Sequence, residues 1–326
     1  MTITQYSLED LHLTGAVGDL DPAQTAWLPS FPASTPDDVL QKELETKGVV
    51  HIRGVMPREF VLAARAKFFT HLAPTGLLKE GSAPVDGLWR SEADANDYVG
   101  PASAGLIQLS DVAEHNLQRQ WEVPRLPWSS EFCGNEYIRR TVSRLQPSWK
   151  DPFILKRQIW RTNIPHARTH SIGVHYDHVF LRGGPPTALT AWVPVGDCTP
   201  QQGGLIYLED SVPLGAALED SFAERARTAG FTEDEARNAF NAHMGPNGVL
   251  SSDPGEFART HGRRWLVGDY AAGDVVFHSP FMVHAASENV DPGGRIRLSC
   301  DLRYADREGR YDARWDGDVY KPDDGL

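Results

Sequence analysis

Residues 173–178 read Gly-Val-His-Tyr-Asp-His and place two metal-binding residue types, His175 and Asp177, two positions apart. In a β-strand, residues i and i+2 point to the same face, so His175 and Asp177 are predicted to project together. An imidazole and a carboxylate side by side can supply two ligands to a divalent metal ion. Because His-x-Asp tripeptides also arise by chance, the prediction of a metal site depends on a third ligand elsewhere in the chain.

A second segment, residues 273–284, reads Gly-Asp-Val-Val-Phe-His-Ser-Pro-Phe-Met-Val-His. His278 lies in a predicted strand, 274–278, whereas His284 follows a Ser-Pro turn that lets a new strand begin. Either imidazole could complete a set of two histidines and one aspartate, which in non-haem iron(II) oxygenases leaves positions open for a cosubstrate and dioxygen. Arg295 follows His284 by eleven residues, and a guanidinium suits the distal carboxylate of such a cosubstrate.

Hydrophobic patterning divides the chain into a helical N-terminal part and a strand-rich remainder. We predict an irregular arm over residues 1–34, and a first helix that Thr35 caps and Gly48 ends. Residues 74–106 are predicted to be a binding loop or lid. Further helices are predicted from Pro57, at 134–147 and at 217–243. The predicted strands are 49–52, 154–160, 174–181, 189–193, 205–208, 265–267, 274–278, 282–286 and 296–304. Strands that flank a helical insertion predict a β-sandwich wrapped by N-terminal helices.

The composition limits the class of protein. The 326 residues include 32 Lys+Arg and 44 Asp+Glu, a formal charge of −12, and 40% are hydrophobic. The apolar fraction excludes wholesale disorder, and an acidic chain without a Lys/Arg run is a poor binder of nucleic acid. The sequence contains no run of about 18 apolar residues and no N-terminal secretory signal, so we predict no membrane segment. Three unclustered cysteines predict neither a disulfide framework nor a zinc site. We expect a cytoplasmic monomer or homodimer that handles a small molecule.

Several motifs, taken in order, resemble the phytanoyl-CoA dioxygenase-like branch of the iron(II)/2-oxoglutarate-dependent oxygenases. The matching residues are His175-x-Asp177, 191–195, 199–204, 273–278, His284, Arg295 and Arg303-Tyr304. The resemblance implies a mainly β fold with flanking helices, built on a double-stranded β-helix, or jelly roll. We expect one domain over residues 1–326. Its parts are an N-terminal arm, helices and lid loop (1–150), a core (151–305) with a helical insertion (213–245), and a tail (306–326).

The resemblance also implies roles for individual residues. His175, Asp177 and His284 would bind iron(II), and oxidation by dioxygen would be coupled to decarboxylation of 2-oxoglutarate. The family register assigns the 2-oxoglutarate carboxylate to Arg295. Arg297 stays an alternative, because Arg297-Leu298-Ser299 has the Arg-x-Ser form found in other 2-oxoglutarate oxygenases.

Two further residues are candidates for the cosubstrate pocket. Gln158 precedes the metal strand together with Lys156 and Arg157, and one of these three could contact 2-oxoglutarate or substrate. Trp192 shares a predicted strand face with Thr190, where it is either a wall of the pocket or a core side chain. The pattern of one sequence does not choose between these alternatives.

The predicted activity is oxidation, by default hydroxylation, of a small organic metabolite, with release of succinate and CO2. One alternative is a cupin-like metalloenzyme, an isomerase or hydrolase, that does not use 2-oxoglutarate. A second is a non-catalytic β-sandwich binding module whose histidines are structural. In one departure from the family pattern, residues 208–212 replace a Gly-Ser-His turn. Residues 323–326 are not a peroxisomal address, so a phytanoyl-CoA substrate is not supported.

Overall fold

The computed structural model describes residues 7–100, 109–237 and 249–317. The strands of the described residues are β1 (Thr25–Trp27), β2 (Ser30–Pro32), β3 (Val49–Arg53), β4 (Pro152–Ile154), β5 (Ile159–Asn163), β6 (Leu189–Pro194), β7 (Leu205–Leu208), β8 (Trp265–Val267), β9 (Val275–His278), β10 (His284–Ala286) and β11 (Arg297–Asp306). Seven of them form a sheet of order β2-β3-β9-β6-β11-β4, in which β5 also pairs with β11. The other four form a sheet of order β1-β8-β7-β10.

The α-helices with both ends among the described residues are α1 (Asp37–Lys47), α2 (Arg58–Leu72), α3 (Asp111–Glu122), α4 (Pro127–Cys133), α5 (Glu136–Leu145), α6 (Val212–Thr228) and α7 (Pro254–His261). None of them is long and apolar enough to cross a membrane. The N-terminal helices contribute Leu40, Phe68 and Val142 to one apolar cluster, which they share with the outer face of the seven-stranded sheet. This layer buries apolar side chains that the sheet could not cover alone.

The beginning of the chain differs from the prediction in two details. The described part of the arm is not wholly irregular, because β1 pairs in parallel with β8 and β2 with β3. Thr35 does not cap α1, because Pro36 occupies the cap position and no side chain bonds to the free amides. Gly48 does end the helix, with a left-handed φ of 74°, and its amide donates to the carbonyl of Leu44 at 2.9 Å.

β11 separates the apolar exterior of the larger sheet from a polar interior. Its residues Leu298, Cys300 and Leu302 pack outward into the cluster shared with the helices. Because side chains alternate along a strand, the odd-numbered residues, among them Arg297 and Arg303, face the space between the two sheets. Both sets are buried, so this strand carries polar side chains in the middle of the protein.

The segment that contains His175 and Asp177 is not the regular strand predicted for 174–181. Val174 and His175 form isolated antiparallel bridges, to Ser251 and His284 respectively. The chain then turns into a 3-10 helix, Asp177–Phe180. The turn arises because the amide of His178 donates to the carbonyl of Pro280 at 2.9 Å instead of continuing a ladder. Tyr176 is still extended, so His175 and Asp177 share a face as predicted, and the turn that begins at Asp177 then redirects the chain.

Other boundaries also differ. The predicted strand 154–160 is two strands, β4 and β5, that pair with successive parts of β11. The predicted helix 217–243 is interrupted, because α6 begins earlier, at Val212, and ends at Thr228, and residues 229–232 form a turn. Residues 233–237 are helical again, and residues 238–243 lie outside the described residues. In the predicted loop 74–106, the described part forms short turns and two isolated bridges, Leu78 to Trp89 and Leu88 to Arg295. The second bridge ties the loop to the start of β11.

A buried carboxylate fixes the beginning of β9. Asp274 accepts hydrogen bonds from the amides of Gly54 and Ala271, both at 3.0 Å, from His51 Nε2 at 3.1 Å and from Arg53 Nη1 at 3.3 Å. Burial alone would raise the pKa of Asp274, but the bonds from His51 and the backbone lower it below its ordinary value. The carboxylate therefore stabilises the fold above the ordinary aspartate pKa, and this contribution is lost as pH falls through the lower folded-state pKa.

Asp274→Asn should lower the free energy of unfolding by about 2–4 kcal/mol at neutral pH, because a neutral amide cannot accept from four donors. Urea titration followed by circular dichroism measures this difference. Asp210→Asn, at an exposed ion pair with Lys47, is the matched control and should change stability by less than about 0.5 kcal/mol. Equal stability of the two variants would contradict an anchoring role for Asp274.

Candidate active site

Two histidines from distant parts of the chain meet across the smaller sheet. The amide of His175 donates to the carbonyl of His284 at 2.9 Å, and the amide of His284 donates back to His175 at 2.8 Å. This antiparallel bridge places the two imidazole rings side by side, with their centroids 4.2 Å apart. Asp177 joins them, so that one ligand atom from each of the three buried residues lies within 4.8 Å of the others.

Both imidazoles are held in the same way. His175 Nδ1 lies 2.9 Å from the carbonyl of Gly173, and His284 Nδ1 lies 2.8 Å from the carbonyl of Met282. A carbonyl accepts only, so each Nδ1 carries the proton and each Nε2 lone pair is left for a metal. Burial lowers the pKa of His175 to about 4 and the pKa of His284 well below its ordinary value, so both rings are neutral at pH 7.

Asp177 is ionised although it is buried. Burial by itself would raise the pKa of Asp177, but the guanidinium of Arg303 and the hydrogen bond from His278 hold it well below the usual range. Arg303 Nη2 lies 3.0 Å from Asp177 Oδ1. Two neutral imidazoles with free Nε2 atoms and one carboxylate are a donor set that suits divalent iron. The three residues thus fit this metal.

His278, the rival for the third ligand, has a different environment from His284. Its Nε2 lies 3.3 Å from Asp177 Oδ2, and its Nδ1 lies 3.3 Å from the hydroxyl of Tyr207. Both ring nitrogens of His278 therefore have protein partners. Among the described residues, the group that could hold a metal contains His284 and not His278.

The two candidate arginines for 2-oxoglutarate lie in contrasting surroundings. Arg295 precedes β11, its side chain is 56% exposed, and it pairs with Asp291 at 3.5 Å. Arg297 is buried, and it donates from Nε to the carbonyl of Gly203 at 2.9 Å and from Nη1 to Ser299 Oγ at 2.8 Å. Within the part of the chain that the structure describes, Arg297 forms no ion pair with a carboxylate. Burial lowers the pKa of Arg297 to about 10, so it remains charged at neutral pH.

The remaining two predicted pocket residues are Trp192 and Gln158. Trp192 is fully buried on β6 and packs edge-to-face against Tyr270, with ring centroids 4.8 Å apart. Its Nε1 has no hydrogen-bond partner among the described residues. Gln158 lies between β4 and β5, and its buried Oε1 is likewise without a partner there. Both side chains thus have a polar atom with unused hydrogen-bonding capacity.

Comparison with known proteins identifies the family. Residues 44–297 match the family described as phytanoyl-CoA dioxygenase (PhyH). The chain belongs to the phytanoyl-CoA dioxygenase family. No curated protein matches its sequence.

Two solved structures of 2-oxoglutarate enzymes are similar to this family member. EctD from S. alaskensis, solved with 2-oxoglutarate and 5-hydroxyectoine, is 13% identical over 93% of this chain and 89% of that chain, with a TM-score of 0.50. The non-haem alpha-ketoglutarate-dependent carbocyclase SnoK from nogalamycin biosynthesis is 18% identical over 87% and 89%, with a TM-score of 0.49. The predicted jelly roll with flanking helices is confirmed.

The predicted enzyme class is also confirmed. This phytanoyl-CoA dioxygenase family member is a non-haem iron(II)/2-oxoglutarate-dependent dioxygenase, and its cofactors are iron, 2-oxoglutarate and dioxygen. The buried cluster of two neutral histidines and one ionised aspartate agrees with that chemistry. The family and this cluster speak against a cupin-like metalloenzyme that does not use 2-oxoglutarate and against a non-catalytic binding module.

Sequence reasoning missed the side chains that surround Asp177. Thr190 donates from Oγ1 to Asp177 Oδ2 at 2.5 Å, and Arg303 reaches Asp177 Oδ1. The sequence presents Thr190 only as a neighbour of Trp192, and Arg303 only as part of a family motif. Strand alternation indicates that both face inward, but the sequence alone does not give the cross-strand register that brings them to one carboxylate.

The inserted helix α6 is fastened to the same segment that carries Asp177. Glu219 of α6 accepts two hydrogen bonds from Arg182, both at 2.6 Å, and one from the hydroxyl of Tyr176 at 2.8 Å. Tyr176 and Arg182 lie immediately on either side of the Asp177–Leu181 region. The Arg182 guanidinium also packs over the ring of Phe222, 3.9 Å from its centroid. A polar contact buried on both sides thus joins the insertion to the metal segment.

Glu219→Gln should weaken this attachment by about 2 kcal/mol, because it removes the charge from one partner of a buried pair. Hydrogen exchange measured by mass spectrometry should then be about thirtyfold faster in α6, with little change in the β-strands. Glu224→Gln is the control, because its ion pair with Arg227 is exposed on the same helix. Equal exchange in the two variants would show that Glu219 does not hold α6.

Proposed function

We propose that this enzyme hydroxylates a small organic molecule at an iron(II) centre held by His175, Asp177 and His284. The observation that carries the proposal is the convergence of two free Nε2 atoms and one ionised carboxylate in a buried site. When bound, iron and 2-oxoglutarate supply the activation of dioxygen, with succinate and CO2 as coproducts. The similarity to EctD, a structure with a small hydroxylated organic ligand, supports this substrate class.

The protein's own residues prepare the site before any ligand binds. The carbonyls of Gly173 and Met282 fix each imidazole with its Nε2 unprotonated, so no proton has to leave these rings when a metal binds. Arg303 keeps Asp177 ionised in an interior that would otherwise favour the neutral acid. The burial of all three ligands excludes bulk water from the reacting centre.

We further propose Arg297, and not Arg295, as the anchor for the distal carboxylate of 2-oxoglutarate. A buried guanidinium without an acidic partner carries an uncompensated charge, which a bound carboxylate would neutralise. Arg297 also donates hydrogen bonds from Nε to Gly203 and from Nη1 to Ser299, so its guanidinium is already oriented. Arg295 already pairs with Asp291 and is largely hydrated, so a new carboxylate would gain little there.

Trp192 and Gln158 have narrower proposed roles in the same pocket. Trp192 lies on the interior face of β6 and is proposed to form an apolar wall beside the cosubstrate. The free Oε1 of Gln158 can only accept, so its amide group would turn to donate to a carboxylate or to a substrate hydroxyl. The protein is proposed to act as one catalytic domain in the cytoplasm, as a monomer or homodimer.

Replacing any one of the three proposed ligands with alanine should remove iron and stop turnover. For His175→Ala and Asp177→Ala, we expect at least a hundredfold loss of iron- and 2-oxoglutarate-dependent succinate release. The far-ultraviolet circular dichroism spectrum should be unchanged for His175→Ala, whereas Asp177→Ala should also lower stability, because it leaves Arg303 buried without its partner. His115→Ala, at an exposed position of α3, is the control and should behave like the wild type. Near-normal succinate release by either ligand variant would place the metal elsewhere.

The two arginines can be separated by the concentration of 2-oxoglutarate needed for half-maximal turnover. Arg297→Ala loses a charge-assisted partner for a buried carboxylate, so this concentration should rise about a hundredfold. Arg295→Ala should change it by less than about threefold. The reverse pattern would move the anchor to Arg295 and leave the metal site unchanged.

A further inference from the structure

Three residues in one cross-strand row of the larger sheet all contact the same carboxylate. Thr190 of β6 is opposite His278 of β9 on one side and opposite Arg303 of β11 on the other. Opposed residues in a sheet present their side chains to the same face, and here that face is the interior. All three side chains reach Asp177, at 2.5 Å, 3.3 Å and 3.0 Å respectively.

The two carboxylate oxygens of Asp177 have different partners in this row. Oδ2 accepts from both Thr190 Oγ1 and His278 Nε2. Oδ1 accepts from Arg303 and lies 3.9 Å from Nε2 of His284. A carboxylate oxygen has about two lone-pair sites, so both sites of Oδ2 are used, whereas Oδ1 keeps one site on the side of the histidine ligands.

Each member of the row is itself held in place. Tyr207, on the opposite sheet, has its hydroxyl 3.3 Å from His278 Nδ1, so it can donate there while His278 Nε2 donates to Asp177. The guanidinium of Arg303 lies 4.3 Å from the ring centroid of Trp315. The indole of Trp315 donates in turn to the carbonyl of Phe180 at 2.9 Å. These contacts restrict the rotation of His278 and Arg303 away from Asp177.

We propose that the row His278–Thr190–Arg303 makes Asp177 a ligand through Oδ1 alone, with Thr190 and His278 as positioning residues that occupy Oδ2. This inference rests on the metal site proposed above and deepens it. A free Oδ2 could bind the same ion and fill a position that a cosubstrate needs. The hydrogen bonds from Thr190 and His278 to Oδ2 prevent this second metal bond, and they are present before a metal binds.

The test uses the full-length, metal-free protein and Co2+ as the probe, because Co2+ reports its coordination through visible absorption. Thr190→Val keeps the shape of the side chain and removes the donor. It should weaken Co2+ binding about tenfold and change the absorption band, as loss of an outer hydrogen bond to a ligand does. Thr190→Ser retains the hydroxyl and should bind within about threefold of the wild type with the same band.

Two further variants complete the design. Thr162→Val is the matched control, because Thr162 is a buried threonine of β5 opposite Leu298, which packs outward among the helices. It should bind Co2+ as the wild type does. His278→Leu removes the second donor to Oδ2 from a different strand and should repeat the effect of Thr190→Val even if that variant folds poorly.

The outcomes separate this inference from the metal site itself. Wild-type affinity and absorption for both Thr190→Val and His278→Leu would overturn the inference, provided that His175→Ala has lost Co2+ binding. If Thr190→Ser weakens binding as much as Thr190→Val, the effect is packing and the positioning role is wrong. If His175→Ala and Asp177→Ala also bind Co2+ normally, the proposed metal site fails and the inference fails with it.

Discussion

The ion pair between Asp177 and Arg303 is the interaction on which the rest of the structure depends. Removing a carboxylate from water costs several kcal/mol unless charges and hydrogen bonds replace the lost hydration. Here the replacement comes from three strands of one sheet, while the chain around Asp177 is held by the opposite sheet through His284. The buried charge of Asp177 therefore depends on both sheets. The larger sheet supplies its hydrogen-bond donors, and the smaller sheet holds the segment that carries it.

Much of this site could be predicted because its chemistry lies in short segments. The proposed ligands are recognisable from His175-x-Asp177 and from the position of His284 after a Ser-Pro turn. The strands β6, β7 and β8 follow directly from runs of β-branched and aromatic residues. The end of α1 follows from Gly48, since a left-handed residue at that position favours glycine.

The rest could not be predicted because it depends on contacts between segments distant in sequence. The bend at Asp177 is set by a hydrogen bond to the carbonyl of Pro280, a hundred residues away. The contrast between Arg295 and Arg297 depends on where β11 begins to pair with β5, and alternation gives both residues the same predicted face. The contacts of Thr190 and Arg303 depend on strand register, which a hydrophobic pattern does not specify inside a sheet buried on both faces.

The alternation along β11 also limits how this sequence can evolve. Its odd-numbered residues face the active site, and its even-numbered residues pack against the helices. A one-residue insertion or deletion within the strand would exchange the two sets, moving Leu302 towards the metal ligands and Arg303 into an apolar layer. Point substitutions on the outer face leave this division intact, whereas a change of length inside the strand removes it. The strand from Arg297 to Tyr304 therefore has a fixed length, and changes of length are tolerated only in the turns that precede and follow it.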